Sequence, residues 1–167
     1  MKKALLVGIN DYPGTGNDLA GCVNDTANLG ELLRKAFGFA AADIQVLTNA
    51  KATRAAILDG LGDLVAKASA GDVLVFHYSG HGTQVPDQDD DETVDHLDEA
   101  LCPRDFSWDG VWIRDDDLSD AFSRLPKGVH LEVLLDCCHS GTGTREVALG
   151  ARTKAVGAGI VAGMAVR

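Results

Sequence analysis

Short apolar runs alternate with amphipathic stretches along the 167 residues of this chain. Four of the runs have the length of buried strands and cover residues 4–9, 43–48, 72–79 and 130–136. Runs with few polar positions are typical of parallel strands that are covered on both faces. We therefore predict that these four segments pair in a parallel sheet.

Helical periodicity fills the gaps between these runs and predicts three helices. The first is expected to be capped near Asp25 and Thr26 and to end at Gly38, and the second to begin at Thr53. Their apolar faces are Leu29, Leu32, Leu33 and Phe37 in the first, Ile57, Leu61, Leu64, Val65 and Ala68 in the second, and Leu118, Phe122 and Leu125 in the third. Strand–helix alternation of this kind predicts an α/β fold with a mainly parallel sheet and helices on both faces.

The net charge of the chain disfavours some classes of binding partner. The 15 basic and 25 acidic residues give a formal charge of -10, which argues against nucleic acid and anionic membranes. Much of the acidic excess lies in residues 87–99 and 115–117, although most such runs are only solvated surface. A cationic substrate or a metal ion suits this charge. No run of 18 apolar residues occurs, so we expect no membrane-spanning helix.

The N-terminal sequence and the cysteines indicate in which cellular compartment we expect the chain. The chain starts with MKKALLVGINDYP, in which the apolar stretch is too short for a signal peptide and is interpreted as the first strand. The 4 cysteines, Cys22, Cys102, Cys137 and Cys138, show no C-x-x-C spacing. We therefore expect a reducing, cytoplasmic environment.

Two polar motifs follow the predicted third and fourth strands. They read HYSGHG at residues 77–82 and DCCHSG at residues 136–141. Loops after the carboxyl ends of parallel strands form the ligand crevice of such a sheet, so both motifs are expected there. A cysteine nucleophile needs a base within hydrogen-bond reach and backbone donors for the oxyanion. Strand ends followed by glycine can supply both.

Cys138 is the candidate nucleophile and His81 is its candidate base. His139 is a poor base for its neighbour, because adjacent side chains on an extended segment point to opposite faces. His81 lies between two glycines, which leave room for a substrate backbone and leave the Gly82 N–H able to donate. His77 competes for this role, but its place inside an apolar run favours a core histidine satisfied by one hydrogen bond.

Strand alternation sorts the side chains next to the pair. Asp136 is expected on the same face as Cys138, and Ser79 on the same face as His81. Cys137 is then expected to point into the core as a small apolar residue. On chemistry alone, a catalytic pair and ordinary buried cysteines are about equally compatible with this pattern.

Together the motifs resemble those of the metacaspases, the caspase-like cysteine peptidases of bacteria, plants, fungi and protists. Further matches are VGINDYPG at 7–14, GCVNDTANL at 21–29, and the segment from DEALCPRDF to IRDDDL at 98–118. The resemblance covers roughly residues 3–143 and implies a three-layer, caspase-like fold. It thus indicates a catalytic domain of large-subunit type at residues 1–143, followed by a Gly- and Ala-rich tail at 144–167.

The resemblance implies a role for each matching residue. Cys138 is the nucleophile, His81 is the general base, and the backbone amides of Gly82 and Cys138 form the oxyanion hole. The substrate is a protein or peptide that is cut after Arg or Lys. Its basic side chain enters a pocket formed by Asp25, Asp136, Cys22 and Ser79. Two carboxylates would hold this cation by charge-assisted hydrogen bonds, and an aspartate in place of the caspase glutamine disfavours caspase-type specificity.

Calcium is expected as an activator, whereas the chemistry itself requires no cofactor. Many metacaspases need calcium, and the resemblance implies Asp98, Asp115 and Asp116 as its ligands. A further acidic ligand is usual just after the nucleophile motif, where this chain reads GTGTREV with Glu146 as its carboxylate. Residues 87–98 separately carry alternating carboxylates, but they lack the sixth-position glycine and the final glutamate of an EF-hand loop.

The tail departs from the family pattern, because family members add two strands after the nucleophile strand and here one can be placed, at residues 159–166. We expect a large-subunit fragment, a short prokaryotic form, or a sheet completed by a small-subunit-like chain or a second copy. Basic residues offer sites for self-cleavage in this tail, namely Arg145, Arg152, Lys154 and Arg167.

Two other functions were considered for the same residues. An inactive or regulatory caspase-like module would use the crevice for binding without turnover. A nucleotide-binding domain would need a glycine-rich phosphate loop after the first strand. The sequence there, VGINDYPGTGND, scatters its glycines among Asp11 and Asp18 and serves an anionic phosphate poorly.

Overall fold

The computed structural model describes residues 1–86 and 97–137, together with the backbone of residues 161–162. Along the chain its elements are β1 (Lys2–Gly8), α1 (Cys22–Phe37), β2 (Ile44–Thr48), α2 (Arg54–Ala66), β3 (Val73–Ser79), β4 (Gly82–Pro86), β5 (Leu97–Leu101), β6 (Ile113–Arg114), α3 (Asp115–Ser123), β7 (His130–Asp136) and β8 (Val161–Ala162). Single 3₁₀ turns at Ala41–Asp43 and Asn49–Lys51 flank β2.

A five-stranded parallel sheet with the order β2-β1-β3-β7-β8 forms the centre of the structure. The four predicted strands are confirmed, since each apolar run forms β1, β2, β3 or β7 with only small shifts at its ends. β8 pairs with β7 and falls within the segment 159–166, where one further strand was predicted.

The sheet separates two apolar cores, as the predicted α/β arrangement requires. The larger core packs α2 and α3 on one face through Leu5, Val7, Ile57, Leu61, Leu64, Leu74, Phe76 and Leu118. The smaller core packs α1 on the other face through Ala4, Leu6, Leu33, Phe39 and Val75. Odd and even positions of each strand therefore serve different helices, and this alternation decides which side chains reach the site.

The helix α1 begins earlier than predicted, at Cys22, and its N-cap is Gly21. The left-handed Gly38, with φ of 69°, ends it as expected. The predicted apolar stripe is wrong for Leu32 and Phe37, which are 50% and 54% exposed. The residues that face the sheet are instead Cys22, Thr26, Leu29 and Leu33, which follow helical spacing from the first turn.

The helix α2 agrees with its prediction. The hydroxyl of Thr53 accepts a hydrogen bond from the Ala56 N–H at 3.3 Å and caps the helix. Its buried residues are Ile57, Gly60, Leu61, Leu64 and Val65. No helix among the residues at 1–86 and 97–137 is long and apolar enough to cross a membrane.

A second, antiparallel sheet was not predicted. It has the order β4-β5-β6 and lies in the segment that the sequence suggested was a long loop. Its own small core consists of Val85, Ala100 and Trp112, with Phe106 packed against them. The acidic stretch at 87–96, which includes most of the EF-hand-like segment, lies outside the described residues.

Gly8 sets how closely α1 approaches the sheet. A Cβ at this position would lie 2.3 Å from Thr26 Oγ1 and 2.6 Å from the carbonyl oxygen of Cys22. Because Gly8 has no side chain, the first turn of α1 can pack directly against the end of β1. This contact also explains why Cys22 and Thr26, rather than Leu32, face the sheet.

We expect Gly8→Ala to lower the free energy of unfolding by about 1–3 kcal/mol, because the helix must move or the strand must bend. Gly62→Ala is the matched control, since a Cβ there meets nothing within 4 Å and alanine is the better helix former. Denaturant unfolding of both variants measures the difference. Equal stability of the two variants would contradict the close contact.

Candidate active site

Among the described residues, Ser79 and Asp136 of the predicted site lie at the carboxyl ends of β3 and β7, next to the end of β1. Ser79 on β3 is the register partner of Asp136 on β7, and Gly8 on β1 lies opposite Ser79. Just beyond the strands, the Gly80 N–H donates to the carbonyl oxygen of Asp136 at 3.2 Å. The strand ends at Ser79 and Asp136, from which the two motifs continue, therefore lie side by side.

The backbone of His81 is held on both sides. Its N–H donates to the hydroxyl of Tyr12 at 2.9 Å. Its carbonyl oxygen accepts from the hydroxyl of Tyr78 at 2.8 Å and from the Cys102 N–H at 3.0 Å. Gly80 makes this turn possible, because a Cβ there would lie 2.5 Å from the Tyr12 hydroxyl and 2.7 Å from the Tyr78 hydroxyl.

The two tyrosines form a buried hydroxyl pair beneath the turn. Their oxygens lie 3.2 Å apart, and both hydroxyls reach the carbonyl oxygen of Cys102, at 3.1 Å from Tyr12 and 2.7 Å from Tyr78. Burial raises the pKa of Tyr12 to about 12 and the pKa of Tyr78 well above its ordinary value. Both hydroxyls therefore stay protonated and act as hydrogen-bond donors.

The imidazole of His81 is oriented by a backbone group. Its Nε2 lies 2.7 Å from the carbonyl oxygen of Asn17. Because a carbonyl oxygen only accepts, Nε2 carries the proton and Nδ1 is left with the basic lone pair. The ring also packs on Tyr12, with centroids 4.6 Å apart and planes at 54°. The role of Asn17 could not be predicted, since a backbone carbonyl has no residue-type signature.

The loop that presents this carbonyl is tied down internally. The Leu19 N–H donates to the Asn10 carbonyl at 2.8 Å, and the Tyr12 N–H donates to Asp18 Oδ1 at 3.0 Å. The side-chain amide of Asn17 donates to the Pro13 carbonyl at 2.8 Å. These bonds fix the carbonyl of Asn17 before any substrate binds.

His81 was predicted to lie on the same strand face as Ser79, but His81 is not part of a strand. The chain leaves β3 at Gly80, and Gly82 already belongs to the second sheet, opposite Leu101. Strand alternation therefore does not extend to His81. Its place follows instead from its contacts with Tyr12 and with the loop carbonyl.

The four residues predicted for the specificity pocket are brought together at the start of α1. Cys22 and Ser79 are buried and hydrogen-bonded to each other, whereas Asp25 and Asp136 are exposed. Burial raises the pKa of Cys22, the bond from Ser79 lowers it, and the charges of the two carboxylates raise it. Both carboxylates thus lie close enough to act on the buried thiol.

His77 lies on the same strand face as Ser79, two residues earlier on β3. It is buried, as predicted, but its Nδ1 has no hydrogen-bond partner in the described structure, in contrast to the expected satisfied histidine. Burial lowers the pKa of His77, and the charges of Asp136 and Asp25 raise it. The imidazole is therefore within electrostatic reach of the acidic pair.

Cys137 packs against the larger core together with Leu135, which confirms that it points away from the acidic face. Cys138 and His139 lie outside the described residues, directly after Cys137. The same holds for the Cys138 amide of the predicted oxyanion hole and for Glu146 and the tail basic residues. Gly82, the other predicted oxyanion donor, is buried at the start of β4.

Two of the three residues predicted as calcium ligands, Asp98 and Asp116, bond to an arginine. Arg114 Nη1 lies 3.1 Å from Asp98 Oδ2 and 2.9 Å from Asp116 Oδ2, and Asp98 is only 2% exposed. Burial, followed by the charge of Asp116, raises the pKa of Asp115 to about 6. In the parts of the chain with described side chains, no group of three or more His, Cys, Asp or Glu residues is arranged to hold a metal.

Sequence comparison relates the chain to known proteins. The family profile described as "Metacaspase, peptidase C14 domain" matches residues 2–145. Metacaspase-7 of Arabidopsis thaliana is 42% identical over 145 residues, which cover 84% of this chain and 35% of that protein. Metacaspase-1 of Cryptococcus neoformans is 44% identical over 154 residues, which cover 84% of this chain and 33% of that protein. The chain thus spans about a third of the length of these curated relatives.

Structural comparison agrees with the fold. A crystal structure of a protein from Geobacter sulfurreducens superposes with a TM-score of 0.70 at 32% identity, covering 84% of this chain and 51% of that chain. The Drosophila initiator caspase Dronc superposes with a TM-score of 0.55 at 16% identity, covering 80% and 47%. The predicted caspase-like α/β fold is confirmed. Together with the profile match over most of its length, this shows that the chain belongs to the metacaspase family of cysteine peptidases.

Proposed function

We propose that this chain is the catalytic part of a cysteine endopeptidase that cuts proteins or peptides after Arg or Lys. The observation that supports this best is the hydrogen bond between His81 Nε2 and the Asn17 carbonyl. It leaves the lone pair on Nδ1 of an oriented ring, one residue after the Gly80 N–H that donates to the carbonyl oxygen of Asp136.

The reaction follows from these groups. The Cys138 thiol loses its proton to His81 Nδ1, and its sulfur forms a bond to the carbonyl carbon of the substrate. The N–H groups of Gly82 and Cys138 hold the resulting oxyanion. As the intermediate collapses, the C–N bond breaks and the amine takes the proton from His81. Water then hydrolyses the thioester with His81 as base, which frees the acid and restores the thiol.

The surroundings of His81 suit both of its protonation states. The Asn17 carbonyl accepts the Nε2 proton throughout. The Tyr12 ring packs against the imidazole and limits its rotation. Because Asn17 and Tyr12 are themselves hydrogen-bonded, the ring needs little rearrangement between the steps.

Preference for a basic side chain is supported by the acidic pocket. Asp25 and Asp136 are exposed at its entrance, with Ser79 and Cys22 buried beside them. Carboxylates at this place attract a cation and repel an acidic side chain. The formal charge of -10 on the whole chain acts in the same direction.

Calcium activation is a separate part of the proposal. Asp98, Asp115 and Asp116 would hold the ion, since carboxylate oxygens are the ligands that calcium prefers. The guanidinium of Arg114 already bonds to two of these carboxylates. Calcium would therefore have to displace a positive charge that belongs to the chain.

We further propose a cytoplasmic location, self-cleavage at basic residues of the tail, and completion of the sheet by a small-subunit-like chain or a second copy. The match to about a third of each curated relative supports the last of these. If the chain cleaves itself, the active protein is expected to lose part of its tail on incubation. The variant Cys138→Ala is expected to keep its full mass.

Hydrolysis of matched fluorogenic peptides ending in Arg, Lys or Asp tests the function. We expect turnover of the Arg and Lys peptides and none of the Asp peptide, because the pocket is acidic. Cys138→Ala is expected to abolish it, since no other group replaces the nucleophile. Millimolar calcium is expected to raise the rate.

Each arm of this assay decides a different point. Absence of Cys138-dependent turnover by the folded protein would favour a binding module over a peptidase. An unchanged rate with calcium would contradict only the proposed activation.

The tyrosine pair offers a second test. Tyr12→Phe leaves the N–H of His81 without its acceptor, whereas Tyr78→Phe leaves the carbonyls of His81 and Cys102 with other donors. We expect Tyr12→Phe to lower the free energy of unfolding by about 1–3 kcal/mol and kcat more than KM. Tyr78→Phe is expected to cost clearly less. Equal losses in both variants, measured by unfolding and peptide hydrolysis, would refute the role given to the Tyr12 hydroxyl.

A further inference from the structure

The loop between β1 and α1, residues 9–21, supplies two groups that hold His81. Its Asn17 carbonyl orients the imidazole, and its Tyr12 hydroxyl accepts a hydrogen bond from the His81 N–H. Residues 13–18 of this loop are all exposed. Bonds within the loop fix its shape, but they do not fix where it lies relative to the sheet. The position of His81 therefore depends on what anchors the loop at its base.

The base of this loop is held between two strands. The Ile9 N–H donates to the carbonyl oxygen of Ser79 on β3 at 3.0 Å. On the other side, the Asn10 N–H donates to Asn49 Oδ1 at 2.8 Å, and the Asp11 N–H donates to the same oxygen at 3.3 Å. Asn49 follows directly after β2, the other neighbour of β1 in the sheet. Its side chain thus ties the start of the loop to the end of β2.

Asn10 also connects this anchor to the far end of the loop. Its carbonyl oxygen accepts a hydrogen bond from the Leu19 N–H at 2.8 Å. Its Oδ1 accepts from the Val23 N–H, in the first turn of α1, at 3.3 Å. A shift of Asn10 would therefore disturb both ends of the segment that contains Tyr12 and Asn17.

The backbone of Asn49 has a conformation that few residues accept. Its φ is 45°, and no other non-glycine residue in the described part of the chain has a positive φ. Asparagine tolerates this left-handed region better than most residues. Such a conformation costs free energy and is kept where the surrounding structure requires it. At Asn49 it accompanies an amide oxygen that accepts two backbone N–H groups.

We propose that Asn49 is a positioning residue, which anchors the loop of residues 9–21 so that the Asn17 carbonyl and the Tyr12 hydroxyl meet His81. This rests on the proposed function, in which His81 is the general base. Asn49 acts only through the loop. Its loss is expected to slow the chemistry more than substrate binding, because the carboxylates of the proposed pocket belong to α1 and β7.

Two variants separate the side chain of Asn49 from its backbone conformation. Asn49→Gly accepts the positive φ but removes the acceptor, whereas Asn49→Asp keeps an oxygen at the same place and also tolerates this φ. We expect Asn49→Gly to lower kcat for the Arg peptide about tenfold and to change KM less than about threefold. In Asn49→Asp, kcat is expected to stay within about threefold of the wild-type value.

Amide hydrogen exchange provides a readout that needs no turnover, and it is measured on the full chain with Cys138→Ala. We expect Asn49→Gly to speed exchange of the His81 N–H about tenfold, because its acceptor on Tyr12 moves with the loop. Asn49→Asp is expected to leave this amide at the parent rate. The amide of the buried Leu61 in α2 is the internal control and is expected to stay unchanged in both variants.

A merely local role of Asn49 predicts a different result. It would speed exchange of the Asn10 and Asp11 amides alone and leave both kcat and the His81 amide unchanged, which would overturn the proposal. Equal losses of kcat in Asn49→Gly and Asn49→Asp would also overturn it, since the acceptor would then not matter. If Asn49→Gly does not fold, Asn49→Ser, whose hydroxyl is one atom shorter than the amide, takes its place.

The two readouts also separate this proposal from the function on which it rests. Turnover that does not respond to Asn49→Gly refutes the role of Asn49 alone. No Cys138-dependent turnover by the wild-type chain refutes the peptidase function, and exchange of the His81 amide then still decides whether Asn49 holds this histidine.

Discussion

The site depends on one interaction, the pairing of the Tyr12 and Tyr78 hydroxyls beneath the turn at Gly80. Tyr78 comes from the central sheet, Tyr12 from the loop after β1, and both reach the carbonyl of Cys102 after β5. Three segments that are distant along the chain are thus joined at the base of the turn that carries His81. Because burial raises the pKa of both hydroxyls, they stay protonated at neutral pH.

Near the end of β3, the site combines an imidazole with two carboxylates, and these groups have different electrostatic roles. On one side, His81 must keep a basic nitrogen, and a neutral carbonyl orients it rather than a carboxylate. On the other side, the exposed Asp25 and Asp136 provide the negative charge on which the proposed preference for a basic substrate depends. The turn at Gly80, where the chain leaves β3, separates His81 from the strand face that carries Ser79.

Strong local patterns could be predicted from the sequence. The apolar runs specified β1, β2, β3 and β7, because strands buried on both faces leave an uninterrupted hydrophobic signal. The packing of Cys137 against the larger core followed from alternation alone. The resemblance located the acidic pocket because its residues lie within recognisable motifs.

Features that depend on tertiary contacts could not be predicted. The face of α1 was misjudged at Leu32, since the close contact at Gly8 orients the helix. The second sheet was missed because its strands are short and mix polar with apolar residues. The role of Asn17 is a property of its backbone, and the position of Arg114 between Asp98 and Asp116 is a property of the fold.

The central claim is that Cys138 is activated by His81 beside a pocket for a basic side chain. It is tested most directly by covalent capture with a thiol-directed arginyl electrophile, read by intact mass and peptide mapping. The account predicts a single adduct on Cys138 that forms much more slowly in His81→Ala and is not formed with the aspartyl analogue. Labelling of Cys22, Cys102 or Cys137 in place of Cys138, or equal rates with and without His81, would contradict it.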